Sequence, residues 1–171
     1  MQIDIFPTSI FIENIDANLI NVKSEQITKQ WMAETPSSHG NENQIEKESL
    51  NYLHSKLTNM LSEKYKTPFQ IKLNSIWINK YENSDFQEAH IHPGHQYSFI
   101  IYKEINESRT IFFRPSRYLV NCFFEEKVIP TIFKPSLRSN QIILFPSYLE
   151  HMVQKTDSGT TIAGNISLNV E

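Results

Sequence analysis

From Phe69 onward the chain is a succession of short apolar, β-branched and aromatic runs with no helical pattern between them. Ile71, Leu73, Ile76, Trp77, Ile78 and Tyr81 make the first. Tyr97 to Tyr102, Arg109 to Phe113, Ile129 to Phe133, Gln141 to Phe145, Tyr148 to Val153 and Thr160 to Val170 follow. Pro, Asn, Ser or Asp punctuates nearly every gap, which is the chemistry of turns. A series of about seven or eight strands without crossover helices folds back on itself as an antiparallel all-β barrel or sandwich.

The first third reads differently. Asn41 and Gln44 have capping-box spacing, with Asn in place of the usual Ser or Thr. Leu50, Leu53, Leu57, Met60 and Leu61 then recur at three- and four-residue intervals, with Ile45 one turn earlier. That is one apolar stripe on a helix of about 20 residues. An earlier helix is expected over Ala17 to Met32, using Leu19, Ile20, Ile27 and Trp31. It ends in the turn chemistry of Thr35-Pro-Ser-Ser-His-Gly40. The expected architecture is therefore an all-β core, residues 69–171, backed by a helical N-terminal region, residues 1–68, in one domain of 171 residues.

Bulk properties narrow the function classes. A formal charge of -3 does not advertise a nucleic-acid or membrane partner. The single cysteine, Cys122, rules out an intramolecular disulfide and a cysteine-rich zinc site, and suits a reducing, cytoplasmic compartment. The start, Met1-Gln-Ile-Asp-Ile-Phe-Pro, has no basic segment, so no signal peptide is expected. No apolar run approaches about 18 residues, so no membrane span is expected either.

The chemistry concentrates in Glu88-Ala-His90-Ile-His92-Pro-Gly-His95, answered by Phe145-Pro-Ser-Tyr-Leu-Glu-His151. In a regular strand, side chains two residues apart share a face and sit about 6–7 Å from each other. Turn residues flank the pair, Asn83-Ser-Asp85 before and Pro93-Gly94 after. A turn at Pro146-Ser147 returns the chain so that His151 can face them. Three protein ligands with positions left open describe a catalytic metal site rather than a closed structural one. His39 and His54 lie in the helical part and read as surface or packing residues. Glu88 and Glu150 adjoin ligand positions but point to the opposite face.

The ordered set Trp77-Ile-Asn79-Lys-Tyr81-Glu-Asn83-Ser-Asp85-Phe-Gln-Glu88-Ala-His90-Ile-His92-Pro-Gly94, Ser98-Phe-Ile-Ile-Tyr102 and Phe145-Pro-Ser147-Tyr-Leu-Glu-His151-Met-Val153 resembles the 2-oxoglutarate and iron(II)-dependent oxygenases. Within them it resembles the branch frequent in marine bacteriophages. The resemblance implies a double-stranded β-helix, or jelly roll, with Fe(II) held by His90, His92 and His151. His92 stands where most members carry an aspartate. It implies 2-oxoglutarate and O2 as co-substrates, and hydroxylation of a primary substrate that the sequence leaves open. For a phage protein, the compartment is the host cytoplasm. A homodimer is allowed for.

The chain departs from the family pattern at the co-substrate anchor. The usual arginine beyond the distal histidine falls on Gly159 or Thr160, and Thr161 retains the hydroxyl expected nearby. Arg109 and Arg114 flank the run Thr110 to Phe113. Arg114 is the favoured replacement, because it shares the alternation of Thr110 and Phe112. Asn79, Tyr81 and Tyr102 are candidate hydrogen-bond donors to the same co-substrate. Tyr118 to Lys127 is expected as a lid loop. Two alternatives stay open: a cupin-like three-histidine metalloprotein that does not use 2-oxoglutarate, and a non-catalytic jelly-roll module. In the cupin pattern a further glutamate would fall near Gln96 or Tyr97.

Overall fold

The computed structural model describes residues 8–24, 27–30, 33–41, 43–123, 125, 129–155 and 157–170. Five short strands come first: β1 (Phe11–Asn14), β2 (Val22–Ser24), β3 (Thr28–Gln30), β4 (Ala33–Ser37) and β5 (Asn43–Ile45). Helix α1 (Lys47–Ser62) precedes β6 (Phe69–Tyr81), β7 (Gln87–His90), β8 (Tyr97–Glu104) and β9 (Thr110–Phe113). A short helix, α2 (Arg117–Phe123), separates these from β10 (Ile132–Phe133), β11 (Gln141–Pro146), β12 (His151–Val153) and β13 (Gly159–Val170).

The pairing has one rule. β6 pairs with β13, β7 with β12, β8 with β11 and β9 with β10, all antiparallel. The chain thus runs out along four strands and returns along four others as a two-stranded ribbon closed at β9–β10. Successive rungs alternate between the two halves of the sheet, whose order is β1-β11-β8-β13-β6 followed by β4-β7-β12-β9-β10. A ribbon wound in this way is a double-stranded β-helix, the jelly roll expected from the sequence.

Alternation decides what each strand buries. On β8, Phe99 and Ile101 join one apolar cluster with Ile142, Leu144, Ile162 and Ile166. Leu53, Leu57, Met60 and Leu61 of α1 complete that cluster from outside the sheet. Ile100 and Tyr102, from the other face of β8, join Trp77, Phe112, Ile143, Phe145 and Ala163 between the two halves. A strand buried on both faces needs a continuous apolar run, which explains Tyr97 to Tyr102.

The N-terminal region corrects two expectations. The stretch read as a helix from Ala17 to Met32 is a single 3-10 turn, Ala17–Leu19, followed by strands. Ala17 and Ile20 are both fully buried, so their three-residue spacing served one turn rather than a helical stripe. Asp16 caps it by accepting from the Asn18 N–H at 3.0 Å. Trp31 and Met32 lie outside the described residues. The second helix is as expected but starts later, with Glu46 as N-cap. Gln44 instead pairs with Lys23 in the β2–β5 ladder, so the capping box is not made and Ile45 packs from a strand.

Gly164 lies where β13 packs closely against its neighbours β8 and β6. A Cβ there would lie 2.5 Å from Phe99 Cζ and 2.6 Å from the Ser75 carbonyl oxygen, which the β6–β13 ladder holds in place. Gly164→Ala is therefore expected to lower stability by about 1–3 kcal/mol or more, the usual cost of overpacking. Urea unfolding of the two proteins, compared at constant m-value, checks it.

Candidate metal centre

His90 is the last residue of β7 and His151 the first of β12, and the two are direct partners across the antiparallel ladder. His92 lies just past the end of β7, where Pro93 stops the strand and Gly94 turns the chain at φ +84°. Its backbone N–H donates to the Ser147 carbonyl at 3.0 Å, tying it to the turn that delivers His151. The ring centroids are 4.3 Å apart for His90–His151 and 5.2 Å for both His90–His92 and His92–His151. His90 and His92 are closer than regular strand spacing allows because the strand has already ended. One nitrogen from each ring lies within 4.8 Å of the other two.

Two of the tautomers are set by the backbone. The His90 Nδ1–H donates to the Glu88 carbonyl at 2.6 Å, and the His151 Nδ1–H to the Leu149 carbonyl at 3.0 Å. A carbonyl only accepts, so the proton sits on Nδ1 and Nε2 is left with its lone pair. Burial, chiefly, disfavours charge on all three rings. It lowers the affinity of His90 for a proton and takes His151 well below the ordinary histidine range. It brings His92 down to about 3, with His90, His39 and His95 adding to the effect. Neutral, oriented imidazoles are what a divalent metal requires. The donor set fits Fe(II), and three ligands leave room for co-substrate and O2. Phe145 and Phe112 pack against His151, with centroids at 4.8 and 5.7 Å, and keep that side dry.

The histidines form one wall of a cavity of about 250 Å³ between the sheet halves. Asn79, Tyr81, Tyr102 and Thr161 all line it. They belong to two hydrogen-bonded sets. Ser37 donates to Asn79 Oδ1 at 2.7 Å, and Asn79 Nδ2 to Thr161 Oγ1 at 3.3 Å. Tyr102 Oη is 2.9 Å from Thr110 Oγ1 and accepts from Ser108 Oγ at 3.1 Å. Burial raises both tyrosines above the ordinary phenol value, so each presents a neutral hydroxyl.

Arg114 is a correction. It is exposed, donates to Ser116 Oγ at 3.2 Å and does not line the cavity. Its alternation with Thr110 and Phe112 fails because β9 ends at Phe113 and a turn begins. Arg109, which enters β9 from the other end, lines the cavity beside Ser108 and Thr110. Its guanidinium makes no ion pair or hydrogen bond among the described residues. Glu88 is exposed, and Glu150 binds Arg117 at 3.0 Å. His95 faces Asn74 at 3.0 Å and stays out of the centre. His39, read from sequence as a surface or packing residue, reaches the cavity edge-on to Trp77 at 4.7 Å. Long-range ties to β6 bring it there, through the Ser37–Asn79 bridge and two hydrogen bonds between Ser38 and Ile78, and no local pattern signals that. The expected lid is helical over Arg117–Phe123, while residues 124 and 126–128 lie outside the described residues.

The neutral rings carry a consequence for stability. Below the ordinary value of 6.5 the histidines of the unfolded chain take up protons, while the half-buried His92 stays neutral down to about pH 3. The unfolded state then binds more protons, so stability falls as pH drops through that window. Each such histidine contributes a slope of up to about 1.4 kcal/mol per pH unit. Metal-free protein should lose urea resistance steadily below pH 6.5, and His92→Gln should make that loss shallower.

Comparison with known proteins agrees with this geometry. None of the curated proteins compared with the chain matches it significantly. Among solved structures, a 2OG-Fe(II) oxygenase family oxidoreductase from Burkholderia pseudomallei is 13% identical with a TM-score of 0.52, over 92% of this chain and 67% of that one. HygX from Streptomyces hygroscopicus, with nickel and 2-oxoglutarate bound, is 8% identical with a TM-score of 0.55, over 94% and 83%. A prolyl-4-hydroxylase from Pseudomonas putida is 7% identical with a TM-score of 0.51, over 82% and 76%. At such identities the likeness is one of fold. Residues 75–162, which include all three histidines, match the family described as "Putative 2OG-Fe(II) oxygenase". Since that match spans more than half of the 171 residues, the chain belongs to the 2OG-Fe(II) oxygenases, enzymes whose cofactors are Fe(II) and 2-oxoglutarate.

Proposed function

We propose that the protein is a hydroxylase in which His90, His92 and His151 hold Fe(II) and Arg109 anchors the far carboxylate of 2-oxoglutarate. The observation that carries this reading is one cavity lined both by three convergent neutral imidazoles and by Arg109, whose guanidinium has no partner among the described residues. A guanidinium meets a carboxylate through paired N–H donors, which lysine cannot reproduce. Tyr102, Thr110 and Thr161 offer neutral hydroxyls to the same anion, and Asn79 and Tyr81 hold Thr161 in place. When bound, Fe(II) supplies the activation of O2 that couples decarboxylation of 2-oxoglutarate to oxygen transfer into a substrate C–H bond. The chain's own part is to fix the ligands, admit a dianion and exclude water.

With His92 in place of a carboxylate, the donor set carries no negative charge. The positive charge of a bound cation is then offset by the co-substrate rather than by the protein. This favours a dianionic chelator and supports placing the chain in the phage-type branch, where His-x-His replaces His-x-Asp. The cupin-like alternative is less well supported. Gln96 is exposed and accepts from the Leu168 N–H at 3.3 Å, and Tyr97 pairs its hydroxyl with Tyr65 at 2.8 Å. Neither offers a fourth ligand. In this reading the whole chain acts as one cytoplasmic domain, alone or as a homodimer.

The test is iron-dependent formation of succinate from 2-oxoglutarate. His151→Ala should abolish it. Arg109→Ala should raise the KM for 2-oxoglutarate about 10–100-fold, the scale of losing a charge-assisted hydrogen bond. Arg114→Ala should leave it within about twofold, as for a surface substitution. Iron-loaded protein whose stability and turnover ignore 2-oxoglutarate would refute the proposal.

A further inference from the structure

The three histidines are not held in the same way. His90 and His151 are each pinned by an Nδ1–H bond to a backbone carbonyl. The His92 ring makes no hydrogen bond among the described residues. Its neighbours are rings instead. His151 lies nearly parallel to it, at 18° and 5.2 Å, and Trp77 lies across it at 32° and 5.7 Å. Trp77 is buried and is itself met edge-on by His39 at 4.7 Å and 74°. The imidazole that replaces the usual carboxylate therefore sits in a slot between two rings, with a third ring behind one wall.

A ligand needs its lone pair aimed, and the usual device is a hydrogen bond from the ring's other nitrogen. An aromatic slot can do the same by a different route, because tilting the imidazole would drive it into a neighbouring ring. A carboxylate at this position would have no such need, since it is smaller and offers two equivalent oxygens. We infer that Trp77, backed by His39, is a positioning residue for the metal ligand His92, standing in for the hydrogen bond that the other two ligands have. The inference rests on the three histidines being the metal centre, and metal binding by the unaltered protein tests that separately.

The experiment is a titration of purified, metal-free protein with Co(II), followed by calorimetry and by the visible absorption of the bound ion. The unaltered protein should take up one equivalent. If it takes up none, the metal centre itself is refuted and the inference with it. Trp77→Leu should weaken Co(II) binding about 10–100-fold, the usual scale for losing a partner that orients a ligand, and should shift the absorption band. Trp77→Phe, which keeps a ring, should restore most of the affinity. The deciding comparison repeats both substitutions in the His92→Asp protein. There Trp77→Leu should change Co(II) affinity by less than about threefold, since little coupling is left between the two positions. An equal loss in both backgrounds would mean that Trp77 acts through the general packing of the barrel, and would overturn the inference.

His39→Ala supplies a second arm that does not disturb the core, because His39 is exposed. It should weaken Co(II) binding severalfold with His92 present and leave the His92→Asp protein unaffected. Should Trp77→Leu fail to fold, this pair decides, and an unchanged affinity in the His39→Ala protein would refute the backing role.

Discussion

The antiparallel pairing of β7 with β12 is the constraint on which the site depends. Those two short strands are separated by sixty residues of sequence, yet their register sets His90 directly opposite His151. Side chains that face each other across such a ladder lie within about 4.5–5.5 Å at Cβ, which is the span a single ion can bridge. A slip of one residue would turn one of the two rings to the other face of the sheet. The register is not defended by β7 and β12 alone, since both are short. It is inherited from the longer rungs on either side of the ribbon. β6 and β13 pair along their whole length, and β8 and β11 share an unbroken six-residue register.

Beneath the centre runs a polar spine that a barrel interior would ordinarily avoid. Ser98, Ser147 and Asn165 are all buried, and Ser98 Oγ lies 2.8 Å from Ser147 Oγ and 2.7 Å from Asn165 Oδ1. Asn165 Nδ2 in turn donates to Ser75 at 3.0 Å. Buried polar groups are costly when unpaired and rigid when fully paired. The same Ser147 that closes this network receives the backbone N–H of His92. The turn carrying one ligand and the turn delivering another are thereby fastened to a common point in β8 and β13.

Much of this was legible in the residues themselves. Alternation and turn chemistry announced the strands, and His-x-His with a distant histidine announced the three-histidine cluster. What stayed hidden depended on long-range geometry. The helix expected over Ala17 to Met32 failed because Ala17 and Ile20 mimic helical spacing over a single turn. Arg114 kept the parity of an inward residue, but the strand stopped before reaching it. Arg109 broke that parity and still lines the cavity, because residues that lead into a strand are not bound by its alternation. His39 gave no signal at all. Its place beside Trp77 follows from long-range hydrogen bonds that tie Ser37 and Ser38 to β6, which no local pattern encodes.

The winding of the ribbon also divides the molecule by tolerance to change. Its closed tip is the connection from β9 to β10, which contains α2 and exposes Tyr118, Leu119 and Phe123. Residues inserted there extend the end of a hairpin and unpair no rung, whereas an insertion between β7 and β8 would pull on the ligand turn. Loop length at a free end costs little, growing only with the logarithm of the number of residues. Whatever this tip meets outside the barrel can therefore diversify by lengthening or shortening one segment, while the frame that carries the three histidines is inherited unaltered.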